Sequence, residues 1–328
     1  MNIKIISETA FTHEGDLNYL LAQINLAKKA GAEYIKFQVL LDIDSVYSKS
    51  TDLYKDMKSK MLNSKDWEDA FKYAKNLGLK TLLLPIDYKA LQFSIDCKYT
   101  DAIEIHSICL NDILFLNKIN KSKTKLLIVL GVGGRTTSDI NFCINYLDSS
   151  NLLLMSGFQC FPTEIEDANL GKVKSLVNNY RFPIGYADHT PWDKDDSSMI
   201  LTAISFGATF IEKHIILENG SDRADYYSAV SEKELRRLKN VIKTFTLIYG
   251  NDMLESLSEK ETTYKNRERK IIALSNISKN QKLSQENIGY TVTNQSTDLK
   301  QRSFNKILGL RARQDIKNGE VITSEKII

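Results

Sequence analysis

The feature that most constrains this chain is a regular alternation. Eight short runs with β character recur through its first two thirds, separated by longer segments with helical spacing. The runs are IKIIS from Ile3, YIKFQ from Tyr34, KTLLL from Lys80, AIEIH from Ala102, LLIVL from Leu126, LLLMS from Leu152, FPIGY from Phe182 and TFIEKH from Thr209. Between the first two, Leu17, Leu20, Leu21, Ile24 and Ala27 fall on one helical face, and Gly31 closes the segment as a C-cap. Further helical patterns follow Trp67 and Ser231, where Ser231 and Glu234 make a capping-box signal. Eight strands with helical crossovers predict an α/β fold, a (β/α)8 TIM barrel over residues 1–249. A doubly wound open sheet competes with it. That fold normally carries a Gly-rich phosphate turn after its first strand, and SETAFTHEGD contains no such turn.

Beyond Gly250 the pattern changes. Residues 250–267 are polar and charged and read as a linker. Residues 268–328 hold a short internal repeat, ALSNISKNQKLSQENI from Ala273 and ARQDIKNGEVITSEKI from Ala312. Apolar residues fall four, ten and fifteen positions after each alanine: Ile277, Leu283 and Ile288, then Ile316, Ile322 and Ile327. Two copies cannot form an extended solenoid, so a small pseudo-symmetric β-rich module is expected.

Composition narrows the class. The 328 residues are 42% hydrophobic and 26% charged, with a net charge of +3 and scattered basic residues. That is a globular composition without a nucleic-acid surface. No run approaches the length of a membrane span, and MNIKIISETA lacks a secretory pattern, so a cytoplasmic location is expected. Cys97, Cys109, Cys143 and Cys160 show no CxxC pairing and read as structural thiols in a reducing compartment.

In such a barrel the chemistry sits at the C-terminal strand ends. Glu8, His13 and Glu14 follow the first run, and Lys36 and Gln38 lie on the second. Asp87 follows the third, and His106 and Ser107 end the fourth. Asp188 and His189, in GYADHT, end the seventh, and Glu212, Lys213 and His214 lie on the eighth. All four histidines therefore fall at expected strand ends. His189 and His214, on neighbouring strands, are placed to share a divalent metal that polarises a carbonyl. The plain alternative is that each histidine caps a strand end. Lys36 reads as a ligand-binding cation rather than an ion-pair member, and Glu14 alternatively suits a helix first turn.

These residues carry a resemblance. SETAFTHEGD with AKKAGAEYIKFQ, FPTEIEDANL, IGYADHT and GATFIEKH, in that order and spacing, resemble the sialic acid synthase family, which makes N-acetylneuraminate, legionaminate and pseudaminate. The resemblance covers nearly all of the chain, and the tail is similar to the antifreeze-like (SAF) domain of those enzymes. It implies condensation of phosphoenolpyruvate with an N-acetylated hexose aldehyde. It also implies a divalent metal, Mn or else Co, Fe or Zn, on His189 and His214. Glu14, Gln38 and Asp225 match positions that handle the attacking water and acceptor hydroxyls, and Lys36 matches a donor-site lysine. A homodimer is implied, in which the SAF domain covers the partner's barrel mouth. Asp188 would shape the site beside His189.

The departures cluster in the donor pocket. Glu104 stands where the family has a lysine that grips phosphoenolpyruvate, and His106 where it has a small residue. Ser107 is retained, but Cys109 replaces a glutamate. Gly131 and Ala187 replace serines. Gln159 and Phe161 stand at an asparagine and a tyrosine, and Val292 at an arginine. A charge-assisted hydrogen bond contributes about 1.5–3 kcal/mol. A carboxylate about 4 Å from a phosphate repels it by about 4 kcal/mol per unit charge at an effective dielectric near 20. The lysine-to-glutamate exchange alone thus weakens an anionic donor by roughly three orders of magnitude. Three functions fit: a synthase with relocated cations such as Arg135 or Lys213, a metal-dependent aldolase, lyase or isomerase on the same scaffold, and a non-catalytic sugar-binding or regulatory subunit. Glu104 and His106 are an acid/base or hydroxyl-binding pair in the second.

Overall fold

A computed structural model of the protein describes residues 1–157, 163–194 and 197–328. The chain divides into two units, Met1–Tyr249 and Gly250–Ile328.

All eight runs form strands: β1 (Lys4–Glu8), β2 (Tyr34–Val39), β3 (Lys80–Pro85), β4 (Ala102–Ile105), β5 (Leu127–Gly131), β6 (Leu152–Ser156), β7 (Ile184–Asp188) and β8 (Phe210–Ile215). Each pairs in parallel with the next, and β1 pairs with β8, which closes the (β/α)8 barrel. A two-residue strand, β9 (Ala229–Val230), extends the pairing beside His214 and Ile215. Boundaries shift slightly from the sequence runs. β7 starts at Ile184 because Pro183, with no N–H, cannot enter the ladder. β4 stops at Ile105, leaving His106 as the first residue beyond it.

The first helix, Leu17–Ala30, forms as its pattern requires. Asp16 accepts from the Asn18 and Tyr19 N–H groups, Leu20, Ile24 and Ala27 are buried, and Gly31 adopts φ 81° at the C-cap. The last barrel helix, Glu232–Tyr249, buries Leu235, Leu238 and Ile242. Among the described residues no helix is long and apolar enough to cross a membrane.

Side-chain alternation along the strands separates two cores. On β2, Ile35, Phe37 and Val39 point outward and pack with the helices. Tyr34 points inward and meets Ile6, Leu82, Ala102, Val129, Leu153, Met155, Ala187 and Phe210 inside the barrel. Continuing two residues at a time toward the C-terminal ends, the inward positions become polar. Ile6 leads to Glu8, Tyr34 to Lys36 and Gln38, Ala102 to Glu104 and His106, and Phe210 to Glu212 and His214. The apolar layer therefore fixes which polar residues enter the mouth.

The second unit begins at Gly250, and a short helix, Glu259–Lys265, lies within the stretch expected to be a linker. Strands β10 (Lys270–Ala273) and β11 (Ile288–Thr291) pair antiparallel. The six repeat positions Ile277, Leu283, Ile288, Ile316, Ile322 and Ile327 are all buried in one core. The repeat is also symmetric in its hydrogen bonds. Ala273 accepts from Gly319 and donates to Glu320, while Ala312 accepts from Asn280 and donates to Gln281. Asn280 and Gly319 occupy equivalent places and both have positive φ, 67° and 80°. Ile277 and Ile316, also equivalent, bridge each other.

Candidate active site

Strand register assembles the site. Glu8 on β1 lies opposite Lys36 of β2 on one side and His214 of β8 on the other. A cavity of about 140 Å³ opens at the C-terminal strand ends. Glu8, Lys36, Gln38 and Glu212 line it low down, and His106, His189, His214, Leu84 and Asp225 complete its wall. At about 30 Å³ per water this is space for roughly four or five waters, the scale of a small substrate group.

Lys36 is the centre of a buried ion cluster. Its Nζ lies 3.2 Å from Glu8, 2.9 Å from Glu104 and 2.9 Å from Glu212. Burial alone would drive a proton off Lys36, but Glu104, Glu212 and Glu8 outweigh it and hold its pKa well above the usual lysine value. Burial raises Glu8 too, yet Lys36 and His214 overcome that and hold it well below the ordinary carboxylate range. Glu212 goes the other way. Burial, then the charges of Glu8 and Glu104, hold it well above that range despite Lys36. Glu104 is likewise raised, first by burial and then by Glu8. Three carboxylates thus share one ammonium.

This geometry corrects the expectation that Lys36 is a ligand-binding cation rather than an ion-pair member. It lines the cavity, but its charge is committed to carboxylates, including Glu104 of β4. Asp188 is corrected as a substrate-facing residue. Alternation turns its side chain outward, where it accepts from Lys213 Nζ at 2.8 Å and from the backbone N–H and hydroxyl of Thr190. Lys213 is fully buried on the same outer face, so it is not the relocated donor cation. Ser107 is buried at the start of a 3₁₀ turn, Ser107–Cys109, and does not line the cavity. Gln159, Phe161 and Cys160 lie outside the described residues.

His189 and His214 face each other with ring centroids 4.8 Å apart at 83°. Burial, reinforced by His214, lowers the His189 pKa to about 3, which keeps the imidazole in its neutral form. Glu8 lies 3.4 Å from His214 Nε2. Two imidazoles are suitable donors for a borderline divalent cation whose other positions go to water or substrate oxygens. No set of three His, Cys, Asp or Glu side chains among the described residues forms a closed metal site.

Gln38 lines the cavity and donates to Glu8 at 2.6 Å. Asp225 lines it from a residue with φ 61° and accepts the Phe11 N–H at 3.1 Å. Glu14 does not line it. Its carboxylate accepts from Arg223 at 3.1 Å and from the Ala224 N–H at 3.0 Å, tying the loop after β1 to the loop after β8. Arg223 also stacks on Tyr19 at 3.8 Å, a strut that sequence spacing does not announce. His13 is withdrawn from the mouth. It is buried edge-on against Trp67, and burial lowers its pKa to about 4. Sequence reasoning placed Glu8 and Glu212 at strand ends without giving them roles. The available signal was parity, since Glu212 lies two residues before His214 on the same face.

A profile of the NeuB family matches residues 23–253. The chain belongs to the NeuB family. Its relatives include a pseudaminic acid synthase of Campylobacter jejuni, 26% identical over 97% of this chain and 94% of that one. An N,N'-diacetyllegionaminic acid synthase of the same species is 23% identical over 97% and 98%. Among solved structures, a putative spore coat polysaccharide biosynthesis protein E from Chromobacterium violaceum superposes with a TM-score of 0.86 at 20% identity, covering all of both chains. Of the two departures expected on the fourth strand, His106 lines the cavity, whereas Glu104 contacts Lys36 and does not line it, which corrects its expected place as a substrate-binding residue.

Proposed function

We propose that this chain makes or breaks the carbon–carbon bond between a three-carbon 2-oxo acid unit and a sugar-derived aldehyde, giving a nonulosonic-type 2-keto-3-deoxy sugar acid. Family membership and the synthases among its relatives support the reaction class. The observation that carries the choice of three-carbon unit is the Lys36 cluster. Lys36 is the one lysine lining the cavity among the described residues, and three carboxylates surround it. A phosphate dianion there meets repulsion of about 4 kcal/mol per carboxylate charge at 4 Å. The site therefore favours an unphosphorylated, pyruvate-like unit over phosphoenolpyruvate.

In that reaction C3 of pyruvate loses a proton, the resulting enolate attacks the aldehyde carbon, and the aldehyde oxygen gains a proton. No phosphate leaves and no water adds. His189 and His214 would hold a divalent ion such as Mn²⁺, which when bound supplies Lewis-acid polarisation of a carbonyl. Glu8, held ionised, suits proton acceptance, and Glu212, held toward its acid form, suits proton donation. Gln38 and Asp225 address substrate hydroxyls, and Glu14 holds the loop that carries Asp225.

One observation favours a second reading, phosphoenolpyruvate condensation. Arg135 makes no ion pair among the described residues and its charge reaches His106. The deciding experiment incubates the Mn²⁺-loaded protein with N-acetylmannosamine-type aldehydes and either pyruvate or phosphoenolpyruvate. Sugar acid formed from pyruvate supports the first reading. Phosphate release that depends on the sugar supports the second. A sugar acid from neither across a panel of aldehydes overturns both.

A further inference from the structure

His106 is the residue of the cavity wall that its ion pairs and metal candidates leave unexplained. It is the first residue beyond β4 and lies two residues after Glu104, on the same inward face, and of the two it is His106 that lines the cavity. Its Nδ1 accepts the backbone N–H of Ile108 at 3.2 Å, as the cap of the turn Ser107–Cys109. That bond fixes the neutral tautomer: Nδ1 is the acceptor and the ring proton sits on Nε2. Nε2 has no protein partner among the described residues, and the ring lines the cavity. The charges that face it are Lys36 and Arg135, which oppose a second proton, and Glu8, which favours one. Burial is the largest influence and brings the pKa to about 4, so the ring stays uncharged near neutral pH.

The neighbouring strand is built to hold this ring in place. A Cβ on Gly131 of β5 would come within 2.7 Å of the Ser107 nitrogen, 3.2 Å of the Ile105 oxygen and 3.3 Å of the His106 carbonyl carbon. These are backbone atoms and cannot swing aside. Only glycine at 131 lets the end of β4 close against β5 in the position that aims His106 inward. The glycine and the histidine are thus two halves of one local arrangement.

We propose that His106 binds the carboxylate of a small 2-oxo acid through Nε2–H, an uncharged donor in place of a cation. A monoanion gains a charge-assisted hydrogen bond from it, while a phosphate dianion, with twice the charge, meets the stronger repulsion from the carboxylates around Lys36. This rests on the pyruvate reading above and names the group that recognises the substrate. Gly131 is its positioning residue.

The test is calorimetric titration of pyruvate into the Mn²⁺-loaded full chain, the parent beside His106→Gln and His106→Leu. Glutamine keeps an N–H near the Nε2 position, and leucine removes it. The parent should bind pyruvate, His106→Leu should bind roughly 10- to 100-fold more weakly, and His106→Gln should recover most of that loss. Equal affinity in parent and His106→Leu overturns the role of His106 and leaves the pyruvate reading standing. No pyruvate binding to the parent removes the reading, and this inference with it. Nitrogen-15 NMR of the parent gives an answer that does not depend on variant folding: a His106 ring protonated at Nδ1 rather than Nε2 overturns the proposal.

Discussion

Two lysines, Lys36 and Lys213, are buried at the same end of the same barrel, yet they sit in opposite environments. Lys36 points inward and meets three carboxylates across a cavity. Lys213 points outward and is fully buried, and among the described residues it meets the Asp188 carboxylate and the Thr190 carbonyl. The outer pair has one positive and one negative charge, satisfied by hydrogen bonds, with no room for a ligand. The inner cluster has more carboxylates than cations, which leaves a shared proton to be placed. The difference follows from strand parity alone. It teaches that a buried charge becomes chemically available when its cluster is unbalanced and beside space, not merely because it is buried.

Removing each lysine sharpens this contrast. Lys36→Met leaves three carboxylates with no counter-charge, and is expected to destabilise the fold by about 5 kcal/mol or more at pH 7. Urea denaturation at falling pH should restore much of that, because protonating Glu8 and Glu104 relieves the repulsion. Lys213→Met leaves one buried carboxylate unpaired, with a loss of about 3–5 kcal/mol. Asp188 is held below its ordinary range, so its contribution is present above the unfolded value and lost as pH falls through the folded one. The gap between Lys213→Met and parent should therefore narrow below about pH 4. A Lys213→Met protein that lost cavity ligands as severely as Lys36→Met would break the comparison.

The inner cluster can also be rebalanced. Glu104→Lys would place two ammonium groups among two carboxylates. Phosphoenolpyruvate affinity, measured by calorimetry, should rise by about 100-fold or more, equivalent to about 3 kcal/mol. Unchanged affinity would mean that Glu104 does not govern the charge of the pocket.

Much of this was legible in the sequence, and the remainder fails for identifiable reasons. The eight strands and the C-terminal repeat were readable because burial imposes periodicities that survive in one dimension. The tail shows this most clearly, with every repeated apolar position entering one core. The convergence of His189, His214, Gln38 and Asp225 on one cavity was also anticipated. What was missed concerns pairing across strands. The contact between Lys36 and Glu104 spans 68 positions of sequence and crosses the barrel interior, where neither residue announces its partner. Asp188 was misread because adjacent residues on a strand face opposite ways, so nearness to His189 in sequence excluded it from the same cavity. His13 was placed after the first strand without a role, and the sequence does not show that Trp67, from a helix far along the chain, covers it.

The smallest expected effect concerns histidines, and it extends the lysine comparison to groups with weaker partners. Lys36 keeps its proton through burial because carboxylates touch it. His13 is buried to the same degree, but Asp16 only partly offsets the desolvation, and its pKa falls to about 4. His106 falls to about 4 in the same way. In the unfolded chain both would take a proton near pH 6.5. Between about 6.5 and 4 the unfolded state therefore binds protons that the folded state refuses, so stability must fall as pH is lowered through that window. Each histidine contributes a slope of at most about 1.4 kcal/mol per pH unit. His13→Gln, which removes one titrating group away from the cavity, should flatten the stability profile over that window without altering pyruvate binding. A slope that stays the same in His13→Gln would mean that the Trp67 pocket does not exclude the imidazolium, and that enclosure without an opposing carboxylate is not enough here to strip a buried base of its proton.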